Sequence, residues 1–66
     1  MVEALTTNEE IQTPLGTIKV RQIPSGYWVW STPNGFGGLE STKLEAQRSA
    51  LRAQDLRPED YGIRSY

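Results

Sequence analysis

The sequence predicts an α+β domain in which a three-stranded antiparallel sheet is packed on one face by a single C-terminal helix. Residues 17–23 and 27–32 are rich in β-branched and aromatic side chains, and the first of these segments alternates apolar with polar residues, as is typical of strands. Turn-forming Pro and Gly residues follow each segment. Beyond residue 42 the apolar period changes from two residues to 3.6, which predicts a helix.

Two turns connect the predicted strands. They lie at residues 24–26 and 33–35, and the second contains the Asn-Gly pair favoured in tight hairpins. A third strand follows at residues 36–40. Gly37 and Gly38 interrupt it, which indicates a bulge, a bend, or a place where another backbone comes close.

A fourth strand is an alternative that the sequence leaves open. The turn at residues 14–16 has Pro at a corner where φ is near −65° and Gly at the last corner, which would return residues 10–13 against the first predicted strand. We therefore divide the chain into three parts. They are a flexible acidic lead-in at residues 1–9, a single domain at residues 10–57, and a C-terminal tail at residues 58–66.

The helix is predicted from Lys43 to about Gln54. Thr42 followed three residues later by Glu45 forms a capping box, and Arg57-Pro58 ends the helix. The apolar side consists mainly of alanines, which lets the helix approach a sheet closely. That side is formed by Leu44, Ala46, Ala50, Leu51 and Ala53, and the opposite side by Glu45, Arg48, Ser49, Arg52 and Asp55.

Alternation along the strands assigns side chains to two faces, and one helix covers only one of them. We expect it to cover the face with Trp28 and Trp30, because burying two indole rings removes the most apolar area from water. The register with both tryptophans outward, as stacking platforms, is the alternative. The other face is an ordinary solvated surface, a surface covered by the N-terminal segment, or a binding surface. As a binding surface it consists of Lys19, Arg21, Ile23, Tyr27, Val29 and Phe36.

The residue types that are absent limit the chemistry. The 66-residue chain has no cysteine and no histidine, so disulfides, thiolate nucleophiles and Cys/His zinc sites are excluded. The carboxylate pairs at residues 9–10 and 59–60 lie in polar end segments where nothing would hold them in place for catalysis, and the glycine-rich residues 35–38 lack the Lys-Ser/Thr of a phosphate-binding loop. We expect no catalytic residues, no cofactor and no metal.

Nothing in the sequence is typical of a membrane protein. No apolar run approaches the roughly 18 residues of a membrane-spanning helix. The first residues also lack the basic and apolar regions of a signal peptide. We therefore expect a cytoplasmic protein with no membrane partner.

The charge is unevenly distributed along the chain. Seven basic and eight acidic residues give a net charge of −1, but residues 17–57 carry six basic and three acidic side chains, a net charge of +3. A secondary basic face on the helix side consists of Arg48, Arg52 and Arg57. Its alternative interpretation is a solvated helix face, in which arginines neighbour carboxylates three residues away.

Short motifs between residues 17 and 54 resemble the AP2 DNA-binding domain and the AP2-like arm-binding domains of phage integrases. They are Val20-Arg21-Gln22-x-Pro24-x-Gly26-x-Trp28, Gly38, and Thr42-Lys43-Leu44-Glu45-Ala46. The resemblance implies three strands lying in the major groove of DNA with the helix packed behind them. It implies DNA contacts by Arg21 and Phe36, and a core position for Trp28.

Other DNA-contacting positions of that family differ in this chain. Ile23 and Pro33 stand where the family has arginines, Ser25 where it has a tryptophan, and Ser31 where it has a glutamate. The resemblance therefore extends to the scaffold more than to the activity.

These observations predict a small non-enzymatic binding module. Another protein is the favoured partner, as for adaptors and for the small inhibitors that phages and mobile elements encode, because an aromatic and basic sheet face with an exposed strand edge suits protein docking. The alternative partner is duplex DNA, bound sequence-specifically or in an accessory role by the open sheet face. Self-association through the same surface is left open, since it would add to a small core.

Overall fold

A computed structural model describes residues 8–63. The elements are β1 (Asn8–Thr13), β2 (Gly16–Gln22), β3 (Trp28–Ser31), β4 (Gly37–Glu40), helix α1 (Lys43–Ala53) and a short 3₁₀ helix (Pro58–Tyr61). The strands form one antiparallel sheet in the order β1-β2-β3-β4, and α1 packs on one face of it. The predicted α+β class is confirmed, and the sheet has the fourth strand that the sequence left open.

The sheet begins earlier in the chain than the sequence predicts. Strand β1 begins at Asn8, so Asn8 and Glu9 belong to the sheet although the sequence assigns them to the lead-in. Residues 1–7 of that lead-in and residues 64–66 of the tail lie outside the described residues. Within residues 8–63, no helix is both long and apolar enough to cross a membrane.

All three hairpin turns combine a proline with a glycine at positive φ. The glycines are Gly16, Gly26 and Gly35, with φ values of 124°, 100° and 98°. In the third turn, Gly35 N–H donates to the Thr32 carbonyl at 3.1 Å and Thr32 N–H donates to the Phe36 carbonyl at 2.9 Å. The loop therefore has three residues and ends in a glycine bulge, and it is not the two-residue Asn-Gly hairpin that the sequence suggests.

Helix α1 begins as the sequence predicts and ends by a different device. The Thr42 hydroxyl accepts a hydrogen bond from Glu45 N–H at 3.1 Å, which satisfies one of the free amide groups of the first turn. At the other end, Asp55 N–H donates to the Arg52 carbonyl and Leu56 N–H to the Leu51 carbonyl. This is a Schellman motif, so the helix stops before Pro58 is reached.

The core lies between α1 and the inner face of the sheet. Trp30 is 8% exposed and Trp28 is half-buried, so both tryptophans face the helix, as the favoured register predicts. Around the buried core lie partly buried apolar side chains, including Tyr61 and Ile63 from the segment after the helix. The buried hydrophobic residues are Ile18, Val20, Trp30, Ala46, Ala50 and Leu51.

The two glycines of β4 make room for Trp30. A Cβ atom at Gly38 would lie 2.8 Å from Trp30 Nε1, and one at Gly37 would lie 3.1 Å from the Trp30 carbonyl oxygen. Trp30 Nε1 also donates a hydrogen bond to Glu40 Oε2 at 3.2 Å. The close approach that the sequence indicates is therefore made at Gly38 by an indole ring and at Gly37 by a backbone.

An ion pair joins the first strand to the helix. Lys43 Nζ lies 2.8 Å from Glu9 Oε2 and 6.0 Å from the centre of the Trp28 ring. Gln47 Nε2 donates to the other oxygen of Glu9 at 3.5 Å. These contacts lie on the helix side of the sheet. Among residues 8–63, no helix packs on the opposite face.

Candidate functional site

The face of the sheet opposite α1, called the open face below, is formed by alternate residues of all four strands. Its rows follow from the strand register: Asn8 pairs with Arg21, Arg21 with Val29, and Val29 with Leu39. In the next row Glu10 pairs with Lys19, and Lys19 with Ser31. The open face therefore has charged and polar side chains toward β1 and apolar ones toward β4.

Five of the six predicted binding residues come together on this face. Lys19 and Arg21 are exposed on β2, and Val29 is partly buried on β3. Ile23 and Tyr27 lie opposite each other beyond the ends of these strands, joined by the Ile23 N–H to Tyr27 carbonyl hydrogen bond of 2.9 Å.

Phe36 lies apart from the open face. It is 53% exposed, in the turn before β4, and it pairs with Thr32 through the hydrogen bond between Thr32 N–H and the Phe36 carbonyl. Thr32 lies two residues after Trp30, just beyond the end of β3, and is 8% exposed, so its side chain is on the helix side. The register therefore separates Phe36 from the other five predicted residues.

Leu39 belongs to the open face and was not among the predicted binding residues. It is 55% exposed and lies directly opposite Val29 in the β3–β4 register. The alternation within β4 is the signal that would have found it, because the two glycines before Leu39 leave it as the only large apolar side chain of the strand. With Leu39 included, the apolar patch of the open face consists of Ile23, Tyr27, Val29 and Leu39.

The apolar patch lies in a part of the chain without charge. Residues 22–39 include no acidic and no basic side chain. Tyr27 and Leu39 are 48% and 55% exposed. A cluster of apolar side chains that stays in contact with water is a feature of interaction surfaces, whereas single exposed apolar residues are normal.

Charged groups border the patch on the β1 and β2 side. Lys19 and Arg21 form no ion pair within 4.0 Å among residues 8–63, although Glu10 is the cross-strand neighbour of Lys19. A shallow depression of about 440 Å³ lies between these side chains and is also lined by Val29. With two cations and one carboxylate, the open face has a net charge of +1.

The three arginines of the predicted secondary basic face differ in their exposure to solvent. The Arg48 side chain is only 16% exposed, with Nη2 at 4.0 Å from Glu45. Arg57 is exposed and lies 3.7 Å from Glu59, and Arg52 is exposed on the last turn of α1. The structure therefore covers one of the three cations of the predicted secondary basic face, Arg48, and leaves Arg52 and Arg57 exposed.

The described part of the chain offers no metal cluster. In residues 8–63, His, Cys, Asp and Glu side chains do not gather in any group of three or more that could hold an ion. Compared with protein-family models, curated proteins and solved structures, the chain matches none of them.

Proposed function

We propose that the protein is a non-enzymatic binding module that docks another protein on its open face. The observation that carries this proposal is the exposed apolar patch of Ile23, Tyr27, Val29 and Leu39, next to two cations that form no ion pair with another of the described residues 8–63. In protein interfaces an apolar centre is surrounded by a polar rim. Tyr and Arg are among the residues that contribute most to binding energy. Tyr27 would supply an anchor, and Arg21 and Lys19 the rim.

Duplex DNA is the second candidate, and one observation favours it. Lys19 and Arg21 lie together on the open face, where the AP2-like resemblance would place side chains that contact DNA. Affinity for duplex DNA depends on several phosphate contacts, however, and the open face has a net charge of only +1. The uncharged apolar patch has no role in such a complex, so another protein is the better-supported partner.

The proposal is tested by capturing the partner and then measuring affinity with purified components. The tagged chain captures proteins from extract treated with nuclease, and the candidate partner is then purified and titrated by calorimetry. We expect Tyr27→Ala to weaken binding about tenfold or more, as for an interface anchor. Leu15→Ala is the matched control: Leu15 is 57% exposed but lies in the β1–β2 turn, away from the patch, so its affinity should stay unchanged.

The two candidate partners respond differently to salt and to mutation. A protein partner held by the apolar patch should tolerate a rise in salt and lose affinity with Tyr27→Ala. A DNA complex should weaken steeply with salt and lose affinity with Arg21→Ala. If binding requires Arg21 and Lys19 but not Tyr27, and falls steeply with salt, the protein-docking proposal is wrong.

A further inference from the structure

The two edge strands of the sheet differ in how well they are protected against pairing with a further strand. The outer strand β1 carries two glutamates, Glu9 and Glu10, and charged residues on an edge discourage pairing with another strand. The opposite edge strand, β4, has three uncharged residues, Gly37 to Leu39, before Glu40. Among residues 8–63 no strand pairs with the outer side of β4. The backbone of β4 is therefore available to a further strand.

Val29 and Leu39 form an apolar row across β3 and β4 on the open face, and this row ends at the β4 edge. Val29 and Leu39 are direct neighbours in the register, and Leu39 is 55% exposed, with no further strand of residues 8–63 beyond it. A strand added at β4 with an apolar residue opposite Leu39 would cover that side chain and continue the row. Cross-strand apolar pairs of this kind stabilise sheets.

We propose that β4 pairs antiparallel with β4 of a second copy of the chain, about a two-fold axis that passes beside Leu39. In this register Leu39 of one copy opposes Leu39 of the other, and Gly38 opposes Glu40. The sheet becomes eight-stranded, and the axis, being perpendicular to it, leaves both open faces on the same side. The apolar row then runs without a break from Val29 of one copy to Val29 of the other.

The composition of β4 suits its own copy. Residues opposite each other in an antiparallel pair must lie on the same face, and this holds when Leu39 opposes Leu39 and Gly38 opposes Glu40. No like charges face each other directly, because each glutamate lies beside a glycine. The Glu40 carboxylate is also already held by Trp30 Nε1 at 3.2 Å.

The strength of the association follows from the size of the contact. A four-residue edge pair buries far less than the roughly 800 Å² per partner of a typical stable interface, so the dimer should be weak and concentration-dependent. The pairing goes beyond the proposed docking of another protein and does not depend on it. It would place two open faces side by side, which favours bivalent binding.

Cysteine cross-linking tests the pairing and its register together. The chain has no cysteine, so Leu39→Cys introduces a single thiol. Opposed residues in antiparallel strands have Cα atoms about 4.5–5.5 Å apart, within the range that a disulfide spans. Under mild oxidation we expect the disulfide-linked dimer fraction of Leu39→Cys to exceed that of two single-cysteine controls about tenfold. The controls are Leu15→Cys in the first turn and Gln12→Cys on the β1 edge, both at exposed positions.

Sedimentation equilibrium of the unmodified chain supplies an independent measurement. We expect a monomer–dimer equilibrium that Leu39→Lys shifts toward monomer, because a lysine on an edge strand opposes pairing. Tyr27→Ala, which tests the docking of another protein, should leave the cross-linking of Leu39→Cys unchanged. The proposal is overturned if the chain stays monomeric at all concentrations and Leu39→Cys cross-links no more than the controls, a result that would leave the β4 edge to a strand of another protein.

Discussion

The contact between Trp30 and Gly38 shows how one residue type at one position determines the packing of the sheet. The indole lies so close to Gly38 that a Cβ atom there would be 2.8 Å from Nε1 and 2.9 Å from two ring carbons. This ring is also the largest side chain among the buried core residues. The glycine therefore contributes to stability by leaving space, although it lowers the intrinsic strand preference of β4.

Substituting this glycine should destabilise the domain. We expect Gly38→Ala to lower the free energy of unfolding by about 1–3 kcal/mol, the usual cost of adding a methyl group to a packed site. Thermal denaturation followed by circular dichroism measures the change. Leu15→Ala is the control, because Leu15 is 57% exposed in the β1–β2 turn and its truncation should change the melting temperature little. Equal stability of Gly38→Ala and the wild-type chain would show that the ring does not pack as described.

At the scale of elements, the ends of α1 are set by local hydrogen bonds. Thr42 caps the first turn, and a Schellman motif closes the last one. Asp55 occupies the left-handed position of that motif, with φ of 60°. Glycine is the usual residue there because a β-carbon is strained at positive φ.

Asp55 therefore offers a way to stabilise the helix end. Relieving the left-handed strain by Asp55→Gly is worth about 1 kcal/mol, and the greater freedom of glycine in the unfolded chain takes back part of it, so we expect a net gain of about 0.5 kcal/mol. For a domain of this size that gain raises the melting temperature by about 2–4 °C.

Asp55→Ala is the control that isolates the backbone effect. Alanine keeps the β-carbon, and with it the strain of the left-handed conformation, so it should not stabilise the domain. If both substitutions raised the melting temperature equally by calorimetry, the gain would come from removing the carboxylate and not from the backbone.

The sequence predicts elements well where the pattern is local. The segments with strong alternation or helical spacing, β2, β3 and α1, begin and end within about two residues of the predicted bounds. Strand β1 is harder to predict because Asn8, Glu9 and Glu10 have low strand preference. It forms against the free edge of β2, with Glu9 held by Lys43, 34 residues further along the chain.

At the candidate site, too, local sequence patterns predict some positions and miss those that depend on other elements. Phe36 is separated from the open face because the loop ending at Gly35 has three residues and not two, a difference that shifts the pairing by one position. Arg48 is covered although a helical wheel places it in solvent. A wheel describes one helix and contains no information on the elements around it.

At the scale of the whole molecule, one ion pair links the first strand of the sheet to the helix that packs behind it. Lys43 and Glu9 are 2.8 Å apart, with side chains 42% and 34% exposed. Because both groups are partly solvated, we expect a coupling free energy of only about 0.5–1 kcal/mol from a double-mutant cycle with Glu9→Gln and Lys43→Met. Urea unfolding at low and at high salt measures it, and the coupling should shrink in high salt. A coupling near zero at low salt would mean that this ion pair does not help to hold β1 against the helix.

The simple strand order has a consequence for how the chain folds. Every strand pairs with its neighbour in sequence, through turns of two or three residues, so no long loop has to close before the sheet hydrogen bonds form. Strand pairing in such a meander is local in sequence, so the entropy lost in closing each turn is small. The step of greatest sequence separation is the docking of α1, which packs on β2, β3 and β4 and reaches back to β1 through the ion pair between Lys43 and Glu9. We therefore expect the sheet to form quickly for a domain made mostly of strands, with little time spent in partly folded states that are prone to aggregate.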